Sequence, residues 1–286
     1  MPGIPGLKKV KGFHNVLSPR STNRVSGSYS WMFIVLLAGA SFFSGCASSR
    51  PSAPPVGFHQ PQRISAITTV LPAPSGALRD IYHEVGPYET LWRISSIYSV
   101  DMATIMRVNH LTNKTQLKKG MKLLIPNTRG PRANIQLFPT TRWTHIVIHH
   151  TATDQGSAYS IDGLHQKRGW ENGMGYDFLI DNGTRGKTNG QIEVGPRWMK
   201  QTDGAHTKQG DWNKKAIGIA IVGNYSETGL PDKMFDSLVF LVVTLKSFYR
   251  IPDSNIVGHR GVPGAATECP GKFFPWNEFK RRIRAF

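Results

Sequence analysis

The sequence predicts an α/β chain: a mixed β-sheet flanked by helices, preceded by a small strand–helix–helix–strand unit. Three observations carry that expectation. Short runs rich in apolar and β-branched residues at His145–His150, Tyr176–Asp181 and Ile217–Val222 have the length and composition of strands. Between them lie segments of helical period, Ser160–Arg168 and above all Pro231–Tyr249, in which Met234, Leu238, Val242 and Leu245 form one apolar stripe. In Tyr82–Pro126, Leu91, Ile94, Ile97 and Tyr98 recur at helical spacing, as do Met102, Ile105 and Met106, and "KKGMKLLIP" closes the unit as a strand.

The first elements read as targeting and tether. Residues 1–30 carry Lys8, Lys9, Lys11, Arg20 and Arg24 and no acid, and Trp31–Phe43 is free of charge. That run suits the core of a signal peptide over 1–45 and falls short of the ~20 residues of a spanning helix. Ser44-Gly45-Cys46 resembles a bacterial lipobox, with Phe43 where Leu is usual; the resemblance makes Cys46 the lipidated first residue of the mature chain. The competing readings are an uncleaved anchor and an ordinary secretory signal. Acyl chains on Cys46 would hold the chain on a lipid bilayer at ~0.8 kcal/mol per buried methylene. Ala47 after the cysteine favours, by resemblance to Gram-negative sorting, the periplasmic side of the outer membrane. Residues 46–81, rich in Pro and Ser with little apolar periodicity, read as an extended tether.

Residues 82–127 resemble a LysM domain, a small module that binds N-acetylglucosamine-containing glycans, in "ETLWRISSIYSV", "IMRVNHL" and "LKKGMKLLIP". Tyr88-Glu89 stands where that family has Gly-Asp, in the expected binding loop. A linker at 128–140, with Arg129, Gly130, Pro131, Arg132 and Pro139, leads to the domain over 141–286. There Pro231 opens the long helix, Asp232 and Asp236 suit its first turn, and Lys246 and Arg250 suit its end. Phe274–Phe286 reads as a basic helical tail.

The chemistry concentrates at a strand that ends in histidine and at the loop Gly258–Gly271, which places His259 and Cys269 ten residues apart. Two imidazoles and a thiolate are three zinc ligands, and a catalytic zinc site leaves the fourth position to water. A structural site would need a fourth protein donor; none stands in these motifs, and His206 is the residue that could approach in space. Side chains alternate along a strand, so His145 and His149 share one face and His150 the other. His145 and His149 lie roughly 13 Å apart along a strand, too far to share one metal. One histidine of this strand can therefore be a ligand, and the pattern does not say which.

"IVIHHTA", "GWENGMGYDFLID", "GAHTKQGDWNKKAIGIAIVGN" and "GHRGVPGAATECPG" occur in this order over residues 141–286. Together they resemble the type-2 zinc N-acetylmuramoyl-L-alanine amidases, the family of the peptidoglycan recognition proteins and amidase-type phage lysozymes. The resemblance implies that fold, with His149, His259 and Cys269 as ligands of one Zn2+. It implies catalytic roles for Tyr176 and Thr267 and substrate-groove positions for His206 and Trp170. His145, His150 and His165 keep structural roles. Ala220 stands where some relatives carry a catalytic Glu, which leaves the general base unassigned. The implied activity is hydrolysis of the amide between N-acetylmuramic acid and L-alanine of the stem peptide. The alternative is a non-catalytic peptidoglycan-binding protein of the same fold; such proteins typically lack the cysteine ligand.

Composition fits this reading. Two cysteines, one in the lipobox and one in the metal loop, leave no disulfide framework. After residue 45 thirty basic residues face eighteen acidic ones, a formal +12, which favours anionic polymers and surfaces. No nucleic-acid-binding motif accompanies the charge, so the expected partners are peptidoglycan and the bilayer.

Overall fold

The computed structural model describes residues 67–70 and 75–285. The expected signal peptide, Cys46 and most of the expected tether lie outside the described residues. Strand β1 (Ile67–Val70) comes first. The next unit is β2 (Arg79–Glu84), α1 (Leu91–Tyr98), α2 (Met102–Val108) and β3 (Lys122–Thr128), with β2 and β3 antiparallel. The side chains of Thr90 and Asp101 cap the two helices by accepting from the Arg93 and Thr104 amides. Ile94, Ile105, Leu123 and Ile125 fill the small core beneath them. The βααβ order expected from the sequence is present.

β4 (Asn134–Leu137) then pairs antiparallel with β1, Ile67 opposite Leu137. This corrects the reading of both segments as open tether and linker. Ile67-Thr68-Thr69-Val70 is a β-branched run that favours a strand once a partner edge exists. Ile135 and Leu137 are buried in the main core.

The larger unit runs β5 (His145–His150), α3 (Ala158–Lys167), β6 (Phe178–Asn182), β7 (Asn189–Val194), α4 (Pro196–Lys200), α5 (Trp212–Lys215), β8 (Ala216–Ile221), α6 (Asp232–Tyr249), β9 (Ile256–Gly258) and α7 (Trp276–Arg284). The sheet order is β7-β6-β8-β5-β9, with β7 antiparallel to β6 and the other neighbours parallel. Alternation divides its side chains between two faces. Ile146, Ile148, Phe178, Ile180, Ile217 and Ile219 join the α6 stripe of Met234, Leu238, Val242 and Leu245 in one core. Leu179 and Ala220 belong to the opposite face, under α3.

Two strands of this sheet escape the sequence reading for visible reasons. β7 turns the polar Gln191 and Glu193 inward, which erases the apolar alternation, and β9 is three residues long. β6 starts at Phe178, two residues later than expected. The Gly175 carbonyl pairs with the Ala205 amide instead, and the Asp177 amide donates to Gly218 O.

The small unit is fastened to the α3 side of the large one by buried polar contacts. Lys187 Nζ lies 2.6 Å from Glu193 Oε2 and donates to the Glu84 carbonyl at 2.8 Å. Ser157 Oγ donates to Glu84 Oε2, and Lys119 Nζ reaches Asp162 Oδ2 at 2.7 Å. Because these groups find partners, their burial fixes a geometry rather than destabilising it.

Candidate metal centre

His149 is the penultimate residue of β5, faces the α3 side of the sheet and is buried, 2 % exposed. The other two histidines of β5 point elsewhere, as alternation and spacing require. His150 Nδ1 accepts from the Tyr225 amide, and His145 stacks edge-on against Trp212. Of the three rings, that of His149 alone joins His259 and Cys269.

β9 delivers His259 into a tight turn, His259–Gly261. The Arg260 amide donates to the Cys269 carbonyl at 2.8 Å, which closes the loop and brings Cys269 back beside His259. Thr267 Oγ1 accepts from the Cys269 amide, and the His150 amide donates to Cys269 Sγ at 3.3 Å. One donor atom each from His149, His259 and Cys269 falls within 4.8 Å of the others. Cys269 Sγ lies 3.7 Å from His149 Nδ1.

The hydrogen bonds behind His149 decide which of its nitrogens faces the cluster. His206 Nε2 sits 3.3 Å from the Ala216 carbonyl, which can only accept, so that nitrogen carries a proton. His206 Nδ1 is then an acceptor, 3.1 Å from His149 Nε2. His149 therefore carries its proton on Nε2 and keeps the Nδ1 lone pair free toward Cys269. Both His206 nitrogens are engaged, so this residue adds no fourth donor. It is 6 % exposed, and its ring packs where a Cβ on Gly218 or Gly204 would collide with it. The expectation of a substrate-groove histidine gives way: His206 lies behind the cluster, not in front of it.

The electrostatics suit a cation. Burial, then the neighbouring His206 and His259, holds the His149 imidazole well below the usual histidine range. Burial also lowers His259 and puts His206 at about 4, so the rings are neutral at physiological pH. Burial pushes the Cys269 thiol up to about 12. A buried thiol of this kind ionises when a metal compensates the charge. Neutral nitrogens and a sulfur converging on one point fit zinc.

Tyr176 closes one side, its ring centroid 5.3 Å from that of His149. Burial raises its phenol above the ordinary range, so it stays a proton donor. A cleft of about 630 Å³ opens beyond it, lined among others by Thr151, Tyr159, His165, Arg168, Tyr176 and Arg185. Among the described residues lining this cleft there is no carboxylate. Ala220 pairs with His149 in register and is fully buried, so a methyl occupies the place of the Glu of some relatives.

Thr267 stands in the cysteine loop, holding the Cys269 amide. Trp170 is not among the residues lining the cleft; it packs on His165 at 4.4 Å, behind the wall. His165, which the sequence reading left structural, forms part of that wall and accepts from the Gly175 amide through Nδ1. Its place on the inner face of α3, four residues after Ile161, was the available signal.

The pattern of the N-acetylmuramoyl-L-alanine amidase domain matches residues 139–272, and that of the LysM domain matches residues 83–126. Peptidoglycan-recognition protein SC2 of Drosophila melanogaster is 33% identical over 151 residues, covering 48% of this chain and 72% of that protein. Peptidoglycan recognition protein 1 of Bos taurus is 30% identical over 128 residues, covering 41% of this chain and 62% of that protein. The solved N-acetylmuramoyl-L-alanine amidase LysC from Clostridium intestinale is 32% identical, covers 51% of this chain and 89% of its own, and superposes with a TM-score of 0.43. The chain belongs to the family of N-acetylmuramoyl-L-alanine amidases and peptidoglycan recognition proteins, with a LysM domain before its amidase domain.

Proposed function

We propose that this protein is a zinc-dependent peptidoglycan amidase that cuts the bond between N-acetylmuramic acid and L-alanine of the stem peptide. The observation that carries the reading is the convergence of His149, His259 and Cys269 within 4.8 Å, with Tyr176 alongside. His149 Nδ1, a nitrogen of His259 and Cys269 Sγ would hold the ion. Zinc so held lowers the pKa of a bound water to about 7 and polarises a carbonyl.

The rest belongs to the protein. The His206–His149 hydrogen bond presents the Nδ1 lone pair and fixes the ring. The Tyr176 hydroxyl, neutral at working pH, donates to the oxygen that gains charge as the amide carbonyl is attacked. Thr267 keeps the cysteine loop closed. Arg168 and Arg185 give the cleft a positive wall, suited to stem-peptide carboxylates.

A recognition protein without catalysis is the competing reading, because relatives carry that name. Metal content and turnover separate the two. The purified chain should hold one zinc per molecule, lose hydrolysis of sacculi with a chelator and regain it with zinc. Tight wall binding without any chelator-sensitive turnover would favour recognition instead.

We further propose that Cys46 is acylated and that the protein is anchored to the periplasmic face of an outer membrane, as the lipobox resemblance supports. Metabolic labelling with a clickable fatty acid should mark the parent chain and leave Cys46→Ala unmarked; equal labelling would remove the anchor.

A further inference from the structure

We propose that the surface around Tyr82, Lys122 and Arg185 is a second binding subsite, where the glycan strand of a carboxylate-bearing amino-sugar polymer crosses from the cleft onto the small domain. The proposal rests on the amidase reading for the identity of the polymer. Its basis is a second cavity of about 540 Å³, lined by Tyr82, Glu84, Lys122, Arg185 and Gly186. Arg185 lines this cavity and the catalytic-side cleft as well, so the two adjoin at one side chain.

The chemistry of the walls selects the ligand. Tyr82 is 64 % exposed on a folded strand, β2. An exposed aromatic face ringed by Lys122, Arg185 and Glu84 matches a pyranose, which has an apolar C–H face and a rim of hydroxyls. The two cations favour a chain that also carries carboxylates.

The backbone at Arg185 supports a role for its side chain. Arg185 sits at φ +55° in the turn between β6 and β7, flanked by Gly183 and Gly186, both also at positive φ. Glycine would take that conformation without strain; here the turn holds an arginine that lines both cavities. The turn cannot drift from β2. Lys187, with its side chain 1 % exposed, ties the chain two residues on to the Glu84 carbonyl. Glu84 in turn accepts from Ser157.

The loop that the sequence marks for glycan binding is engaged in part. Gly86 and Pro87 are buried, and the Tyr88 hydroxyl accepts from Lys200 of the larger unit at 2.6 Å. Docking the small domain thus ties down part of its expected binding loop, with Tyr88 still 58 % exposed, and leaves Tyr82 facing solvent beside the cleft.

The test compares the full-length parent with Tyr82→Ala, Lys122→Ala and, as control, Trp92→Ala, an exposed aromatic that lines neither cavity. Two readouts are taken: binding to purified sacculi, and kcat/KM on a monomeric disaccharide-peptide. Tyr82→Ala should bind sacculi about fivefold more weakly, the size of one lost aromatic contact, with kcat/KM on the monomer unchanged. Lys122→Ala should act in the same direction, and Trp92→Ala should match the parent. Parental sacculus binding by Tyr82→Ala overturns the proposal, and so does an equal loss on the monomer or with Trp92→Ala. If the parent cleaves neither substrate yet binds sacculi in a Tyr82-dependent way, the subsite stands and the amidase reading falls.

Discussion

The two faces of the central sheet are built from the same strands and do opposite work. Toward α6, β5, β6 and β8 present Ile146, Ile148, Phe178, Ile180, Ile217 and Ile219, all fully buried against aliphatic side chains. Toward α3 and the ligand loops, the alternate positions present His149, Leu179, Gly218 and Ala220. One face is a close-packed core that sets stability. On the other, the His149 ring is neutral, hydrogen-bonded to His206 and turned toward His259 and Cys269. A strand of six residues can therefore serve a core and a site at once, and substitutions on the two faces should separate stability from chemistry.

The largest separation is expected at the ligand. Cys269→Ser should abolish zinc retention and hydrolysis of sacculi while wall binding stays near parental, read by metal analysis and a pull-down. Retained turnover would mean that the sulfur is dispensable. On the other face, Leu238→Ala removes a fully buried side chain of α6 and should cost about 2–5 kcal/mol in denaturant unfolding. Zinc affinity of its folded fraction should not change; a parallel loss of zinc would show that the faces are not independent.

A third substitution probes the hydrogen-bond relay. His206→Ala leaves His149 Nε2 without its acceptor, and zinc affinity should fall about 10–100-fold in competition with a chromogenic chelator. His206→Asn, which offers an acceptor oxygen, should recover part of it. Affinity indifferent to both changes would reduce His206 to packing.

The smallest effect concerns pH. Burial first, then the charges of Arg168 and Arg197, lowers His165 from 6.5 to about 4. Between those values the unfolded chain binds the extra proton and the folded chain does not. Stability is then complete above about 6.5 and declines as pH falls toward 4. His165→Asn should flatten that slope when unfolding is measured at pH 7 and pH 5; an unchanged slope would place the acid sensitivity elsewhere.

How legible this was from sequence depended on how local each signal is. The long helix appeared with its stripe and ends because four positions repeat every turn and Pro231 marks the start. Alternation along His145–His150 limits the strand to one ligand, and the structure turns the ring of His149 alone toward His259 and Cys269. What stayed hidden was set by contacts between distant segments. Ile67–Val70 looked like tether because its partner, Asn134–Leu137, lies on the far side of the small domain. His206 is a groove residue by resemblance alone, and the glycines that make room for its ring, Gly204 and Gly218, leave no period that would place it otherwise. The docking of Glu84 and Lys119 onto α3 and its flank depends on single polar side chains, which a composition argument counts only as surface charge.

The central claim is that the His149–His259–Cys269 cluster makes a hydrolase, and product analysis tests it most directly. A defined disaccharide-tetrapeptide is incubated with the zinc-loaded chain and the mixture is read by mass spectrometry. The account predicts a free disaccharide and a peptide with L-alanine at its new amino terminus, both absent when zinc is stripped. Recovery of intact muropeptide alone, from a chain shown to carry its metal, would contradict it.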